Sequence, residues 1–193
     1  MAETLAGTAL AVLHNRITRV MPEQIRAAVA TVSDEQLWWR PNESSNSIGN
    51  LLLHLAGNVR QWIVEGIGGK DVHRDRASEF SAREGASGRE LIENLDRALA
   101  EADSVLAGLT SADLTRPYVM QERDNTVLTA IYHVVEHFAM HTGQIVLLTK
   151  SYAPDTIHFY DDSSGAARPL WGGSEGMPGA EVAGGSTPVQ NGV

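Results

Sequence analysis

Three of the chain's seven histidines, His133, His137 and His141, follow one another at intervals of four within residues 125–151. Side chains four apart on a helix share a face. A drift of roughly 40° per step spreads the three imidazoles along one side without aligning them. Measured from His137, the residues Val127, Ala130, Val134, Phe138, Ile145 and Leu148 fall between about 20° and 100° and form an apolar stripe. His137 and His141 lie within or beside that stripe, and His133 lies on its flank next to Gln144. Two core-facing imidazoles at i and i+4 supply half of a metal site. The same pair also reads as two buried rings satisfied by hydrogen bonds, because burying them unpaired is costly.

Other elements must supply the remainder of any such site. A first helix is expected over 5–32, with Leu10, Leu13, Ile17, Val20, Ile25, Val29 and Val32 inward and Pro22 kinking or restarting it. His14 on that helix reads as a boundary residue. A short turn begins at Ser33 and ends before Pro41. Ser47 is the expected N-cap of a second helix over 48–65, with Asn50 in the place of the usual Glu or Gln. Its buried face is Ile48, Leu51, Leu52, Leu55, Val59, Trp62 and Ile63. His54 stands at the edge of that face, in a polar row with Asn50, Asn58, Gln61 and Glu65. The row is either the solvent boundary or the lining of a cleft; in a cleft, His54 is placed to support a ligand from outside the metal's own shell.

Residues 70–88 read as a long polar loop, with His73 exposed and Arg74, Asp75 and Arg76 forming a solvated charge network. A third helix over 87–109 carries no histidine and reads as structural. The connection 110–124 is irregular, with 118–121 extended, and the histidine-bearing helix follows. After Tyr152 the periodicity is lost. Phe159 and Tyr160 are expected to pack along the helices, with Trp171 as the last anchor. Residues 172–193, rich in Gly, Ser and Pro, are expected to be a flexible tail. The fold class is therefore all-α: a four-helix bundle over 1–171 with a long loop between helices two and three, a fold that builds metal sites between facing helices. Trp39 and Trp62 read as core or pocket wall.

Composition narrows the function classes. The chain is 42% hydrophobic and has no cysteine, so disulfides, thiolate metal sites and a cysteine nucleophile of its own are excluded. A net charge of −9 argues against nucleic-acid or anionic-membrane partners. With no leader-like or membrane-spanning apolar run in the sequence, a cytoplasmic location is expected.

Four pieces of the sequence resemble the DinB-like superfamily of four-helix bundle proteins, the DinB/YfiT-like metalloenzymes. They are LWWRP at 37–41, SIGNLLLHLAGNVRQWI at 47–63, RDRASEF at 74–80 and VVEHFAMHTGQI at 134–145. The resemblance is to a bacterial branch with no assigned reaction. It implies a divalent metal, zinc or nickel, on three histidines, which by position are His54, His137 and His141. His133 departs from that pattern and is left as a fourth ligand, an outer partner of a ligand, or a boundary residue. Asn58 and Gln144 are further candidates to contact a ligand. The resemblance also implies a homodimer and, in some relatives, transfer or isomerisation reactions that consume a low-molecular-weight thiol.

Three neutral imidazoles leave a metal with open positions, where it lowers the pKa of bound water to about 7 or deprotonates a bound thiol. The sequence offers no carboxylate beside the histidines: Glu136 points away from the stripe, and Glu65 lies about 16 Å along the helix from His54. A metal-dependent enzyme acting on a small-molecule substrate, a thiol S-transferase or a hydrolase, is the leading expectation, with the transferase ahead. The alternative is a non-catalytic metal-binding bundle serving as a dimeric stress-response or scaffold protein. A purely structural bundle with core histidines is the third reading.

Overall fold

A computed structural model describes residues 5–121, 123–154, 157–163, 165 and 168–170. The first rod is continuous but not uniform: α1 (Leu5–Asn15) passes through a π-helical stretch, Arg16–Val20, into α2 (Met21–Val29). Pro22 sits in the first turn of α2, where its missing N–H costs least. The wider π turn just before it accommodates the ring, so the proline does not break the rod.

Each later helix begins where a side chain satisfies its free backbone donors. Ser33 and Gln36 form a capping box for the short α3 (Asp34–Trp38). Ser47 and Asn50 do the same for α4 (Ile48–Val59), which runs on through a second π stretch, Arg60–Ile67. Asp75 caps α5 (Arg76–Ser81), a helix inside the segment expected to be loop. Ser87 and Glu90 box the start of α6 (Gly88–Ala107), and Thr126 with Thr129 that of α7 (Val127–Tyr152). Between α6 and α7, β1 (Pro117–Met120) pairs antiparallel with β2 (Arg123–Thr126), Pro117 opposite Thr126. The extended residues expected near 118–121 are thus half of a hairpin. A second short pair, β3 (Tyr160–Asp161) and β4 (Arg168–Pro169), follows α7.

The α1–α2 rod, α4, α6 and α7 make the bundle, with α4 packed on α6 and α7, and α2 packed on α7. Its centre holds Ile17, Ile25, Leu52, Leu55, Leu95 and Phe138, all essentially inaccessible to solvent. The expected apolar face of the second helix is inward, α6 buries Leu91, Leu95, Ala98, Leu99, Ala102 and Leu106, and Val127, Ala130, Val134, Phe138 and Ile145 line α7's buried side, with Leu148 half-buried. Trp171 and the segment 172–193 lie outside the described residues. No helix among the described residues is long and apolar enough to cross a membrane.

Asn50 does more than cap. Its carbonyl oxygen accepts from the backbone N–H and hydroxyl of Ser47 at 3.1 and 2.8 Å, while its amide donates to the carbonyls of Glu79 and Ala82, both at 2.9 Å. One fully buried side chain thereby pins α5 onto the start of α4. Removing it strands buried donors and acceptors at a cost of roughly 1–3 kcal/mol each. Asn50→Ala is therefore expected to lower stability by about 2–4 kcal/mol in urea denaturation and to raise amide exchange across 76–82 first.

Candidate metal centre

Positioning falls to α4 and α7. Trp62 meets His133, and His54 meets His137 and His141, so the two helices run antiparallel and present these rings to one another. His54 Nε2 lies 2.9 Å from His137 Nε2, which lies 3.1 Å from His141 Nε2. The candidate ligand atoms of the three all fall within 4.8 Å of one another, and among the described residues no other His, Asp or Glu joins the group. His54 and His141 are buried, whereas His137 is half-buried.

The far sides of two rings are fixed. His54 Nδ1–H donates to Glu79 Oε2 at 2.8 Å. Glu79 in turn accepts from Arg74 Nε at 2.7 Å and Arg74 Nη2 at 2.8 Å, a two-point ion pair. Arg74 Nη2 also stands 3.0 Å from His54 Nδ1. That nitrogen carries its proton toward the carboxylate, so the contact is proximity rather than a second hydrogen bond. Arg74 Nη1 reaches Gln61 Oε1 at 2.7 Å, and Gln121 at the hairpin turn donates to the same oxygen at 3.2 Å. On α7, His141 Nδ1–H donates to Gln144 Oε1 at 2.7 Å.

Two expectations are corrected here. A carboxylate does stand beside the histidines, because Glu79 touches His54 from α5. Arg74 is not part of a solvated network either: its side chain is 6% exposed and that of Glu79 8%. His73, the neighbour read as exposed, is 94% exposed. Spacing along one helix cannot reveal a partner 25 residues away on another element. The available signals were Asp75 three residues ahead of Ser78, which caps α5, and the glycine at 57. A Cβ on Gly57 would sit 2.1 Å from Glu79 Oε1 and 2.8 Å from Arg74 Nε, so the ion pair needs bare backbone at that position.

With Nδ1–H committed outward on His54 and His141, their Nε2 lone pairs point into the cluster, and His137 Nε2 stands between them. One proton on His137 Nε2 can serve one of these lone pairs well, not both. A shared cation suits all three nitrogens. Two ligands each about 2.0–2.1 Å from one ion lie roughly 2.9–3.4 Å apart, for angles between square and tetrahedral. Both of these separations fall in that interval; the whole set spans up to 4.8 Å, so the three nitrogens suit a divalent metal with a small closing movement of the rings.

Other candidates are distributed around this group. Gln144 is the outer partner of His141. His133 stands outside the converging three, its ring between that of Trp62 at 4.3 Å and that of His137 at 5.7 Å. Asn58 is buried one turn beyond His54 with its Oδ1 unpartnered, as is His137 Nδ1. Phe80 covers the His54 ring at 4.6 Å. Trp62 is core, whereas Trp39 is largely exposed against Tyr152.

Burial, followed by the facing imidazoles of His141, His54 and His133 and the charge of Arg74, pushes His137 from 6.5 down to about 3. Burial likewise lowers His141, against the opposing hydrogen bond to Gln144. For Glu79, burial raises the pKa, but the hydrogen bonds and charges of Arg74 and His54 outweigh it and hold the carboxyl below 4.5. Folding thus excludes protons that the unfolded chain takes up, and stability present above pH 6.5 is lost as pH falls toward 3. The melting temperature of chelator-treated protein should drop steadily from pH 7 to pH 4, and less steeply for His137→Asn. A flat profile over that interval would contradict the buried neutral rings.

No curated protein matches the chain at a significant level. Among solved structures it is similar to a DinB-like protein from Bacillus cereus, at 16% identity and TM-score 0.62, over 83% of this chain and 100% of that one. It is also similar to a DinB-like protein from Bacillus subtilis, at 18% identity and TM-score 0.59, over 77% and 96% of the two chains. A conserved protein from Enterococcus faecalis gives 16% identity and TM-score 0.58, over 72% and 93%. At such identities these likenesses establish the fold alone. Residues 6–159 match the model of a family described as protein of unknown function, DUF1572. With that match over most of its length, the chain belongs to the DUF1572 family, and it shares its fold with DinB-like structures.

Proposed function

We propose that His54, His137 and His141 hold a divalent metal, zinc or nickel, and that the protein is a metal-dependent enzyme for which a thiol cosubstrate is the leading partner and water the next. The observation that carries this reading is the convergence of three imidazole nitrogens whose outer sides are held by Glu79 and Gln144. A divalent ion on such a site supplies Lewis acidity and acidifies a thiol or water that reaches it.

The chain's own residues favour the thiol. Both oxygens of Glu79 are engaged, one by Arg74 alone and the other by Arg74 and His54, so the one carboxylate in contact with the cluster is not available as a general base. No cysteine is present, so a thiolate has to arrive with a cosubstrate. Phe80 packs on the His54 ring, and His137 is the least buried of the three. Three protein ligands, with no fourth among the described residues, are the number typical of catalytic rather than closed structural zinc sites.

Elemental analysis of untagged protein should find close to one equivalent of metal, lost in His54→Ala and His137→Ala and kept in His133→Ala. Chelation should lower the melting temperature of the wild type and of His133→Ala, and leave that of the two metal-free variants unchanged. Cobalt-loaded protein mixed with 2-mercaptoethanol should develop sulfur-to-cobalt absorption, which this cysteine-free chain cannot produce by itself. Metal-free wild type that refuses reconstitution would remove the reading.

A further inference from the structure

The Arg74–Glu79 pair does more than orient a ring. Both side chains are buried, and two hydrogen bonds of 2.7 and 2.8 Å join them directly behind His54. A carboxylate alone at that place would set one negative charge about a ring's width from the cluster; with Arg74 attached, the pair contributes no net charge. The three imidazoles are neutral ligands, and no Asp or Glu joins them among the described residues. The ring contacts lead to a further cation: Phe80 packs on His54, and the Arg76 guanidinium lies 4.8 Å from the Phe80 ring centre.

We propose that Arg74 is a charge-compensating positioning residue, which cancels Glu79 so that a divalent ion at the three histidines keeps its full charge and takes a small anion as its further ligand. The proposal rests on the metal reading above. It names the class of molecule the site admits: one bearing an anionic donor atom, such as a thiolate. The compensation is built into the backbone, because Gly57 leaves room for the pair that any side chain would fill. A buried carboxylate with no partner cation would be expensive to keep ionised, and Arg74 removes that cost as well.

The test uses full-length cobalt-loaded protein titrated with azide, followed by visible absorption, in wild type, Arg74→Met, Glu79→Gln and the double variant. One unit charge at about 10 Å, at an effective dielectric constant near 20, changes anion affinity by roughly tenfold. Arg74→Met should therefore weaken azide binding about tenfold, Glu79→Gln should tighten it by a similar factor, and the double variant should return to within about threefold of wild type. Purely structural roles predict weaker binding in both single variants and the weakest in the double, and that pattern would overturn the proposal, as would unchanged affinities. Should Arg74→Met fail to fold, Glu79→Gln and the double variant decide by the same criteria. Wild type that binds no cobalt overturns the metal reading and this inference together; cobalt binding with the wrong pattern of azide affinities overturns the inference alone.

Discussion

Three imidazole nitrogens, adjacent pairs of them at hydrogen-bond length and all within 4.8 Å, set the terms for the surrounding bundle. Nitrogen lone pairs facing each other in a partly desolvated space repel unless a proton or cation lies between them, so the cluster has to be held together from behind. Two helices hold it by main-chain rigidity, with α4 and α7 meeting antiparallel and each starting from a satisfied capping box. Two side chains hold it by hydrogen bonding, with Glu79 on His54 and Gln144 on His141 each accepting from Nδ1–H and turning the opposite nitrogen inward. The third ring, His137, has no such partner and is the most exposed of the three. Constraint is therefore tightest where the cluster is deepest and loosest at its mouth.

The polar chemistry behind His54 depends in turn on small packing decisions. α5 is only six residues long and too short to be stable alone. It stays because Asn50 bonds the carbonyls of Glu79 and Ala82, and because Gly57 lets the Glu79 carboxylate and the Arg74 guanidinium lie against the α4 backbone. Arg74 then reaches Gln61, and through it the hairpin turn at Gln121. A polar row that on one helix looks like a solvent boundary is, once α5 covers it, a buried seam of amides and charges. Asn50, His54 and Asn58 are all nearly inaccessible for that reason.

What could be read from the sequence follows from what periodicity encodes. The buried faces of α4, α6 and α7 were legible because each is an apolar stripe of helical period, and the His137–His141 pair because both ligands share one helix. His54 needed the resemblance, since its position beside an apolar face suits either a cleft or a surface. Arg74 was misplaced, and Glu79 stayed unmarked in the same loop, because a charged string reads as solvated unless the element that buries it is known. The π stretches at 16–20 and 60–67 have no signature in residue type; they are visible only as a wider turn in the backbone. Of the hairpin, the run at 118–121 was legible as extended, whereas its partner at 123–126, all polar, gives no apolar alternation to read.

The choice between a metal-holding scaffold and a catalyst turns on how the cluster spends its donors. A structural zinc site closes its coordination with four protein ligands. Here the converging set stops at three among the described residues, and His133, one turn before His137 on α7, lies against Trp62 outside that set. The nearest carboxylate, which would close such a site in many proteins, is instead turned away behind His54 and tied to a guanidinium. A bundle built only for stability gains nothing from a cancelled carboxylate and a less buried third ring. Both features make sense together if the position they leave open is meant to be filled from solution.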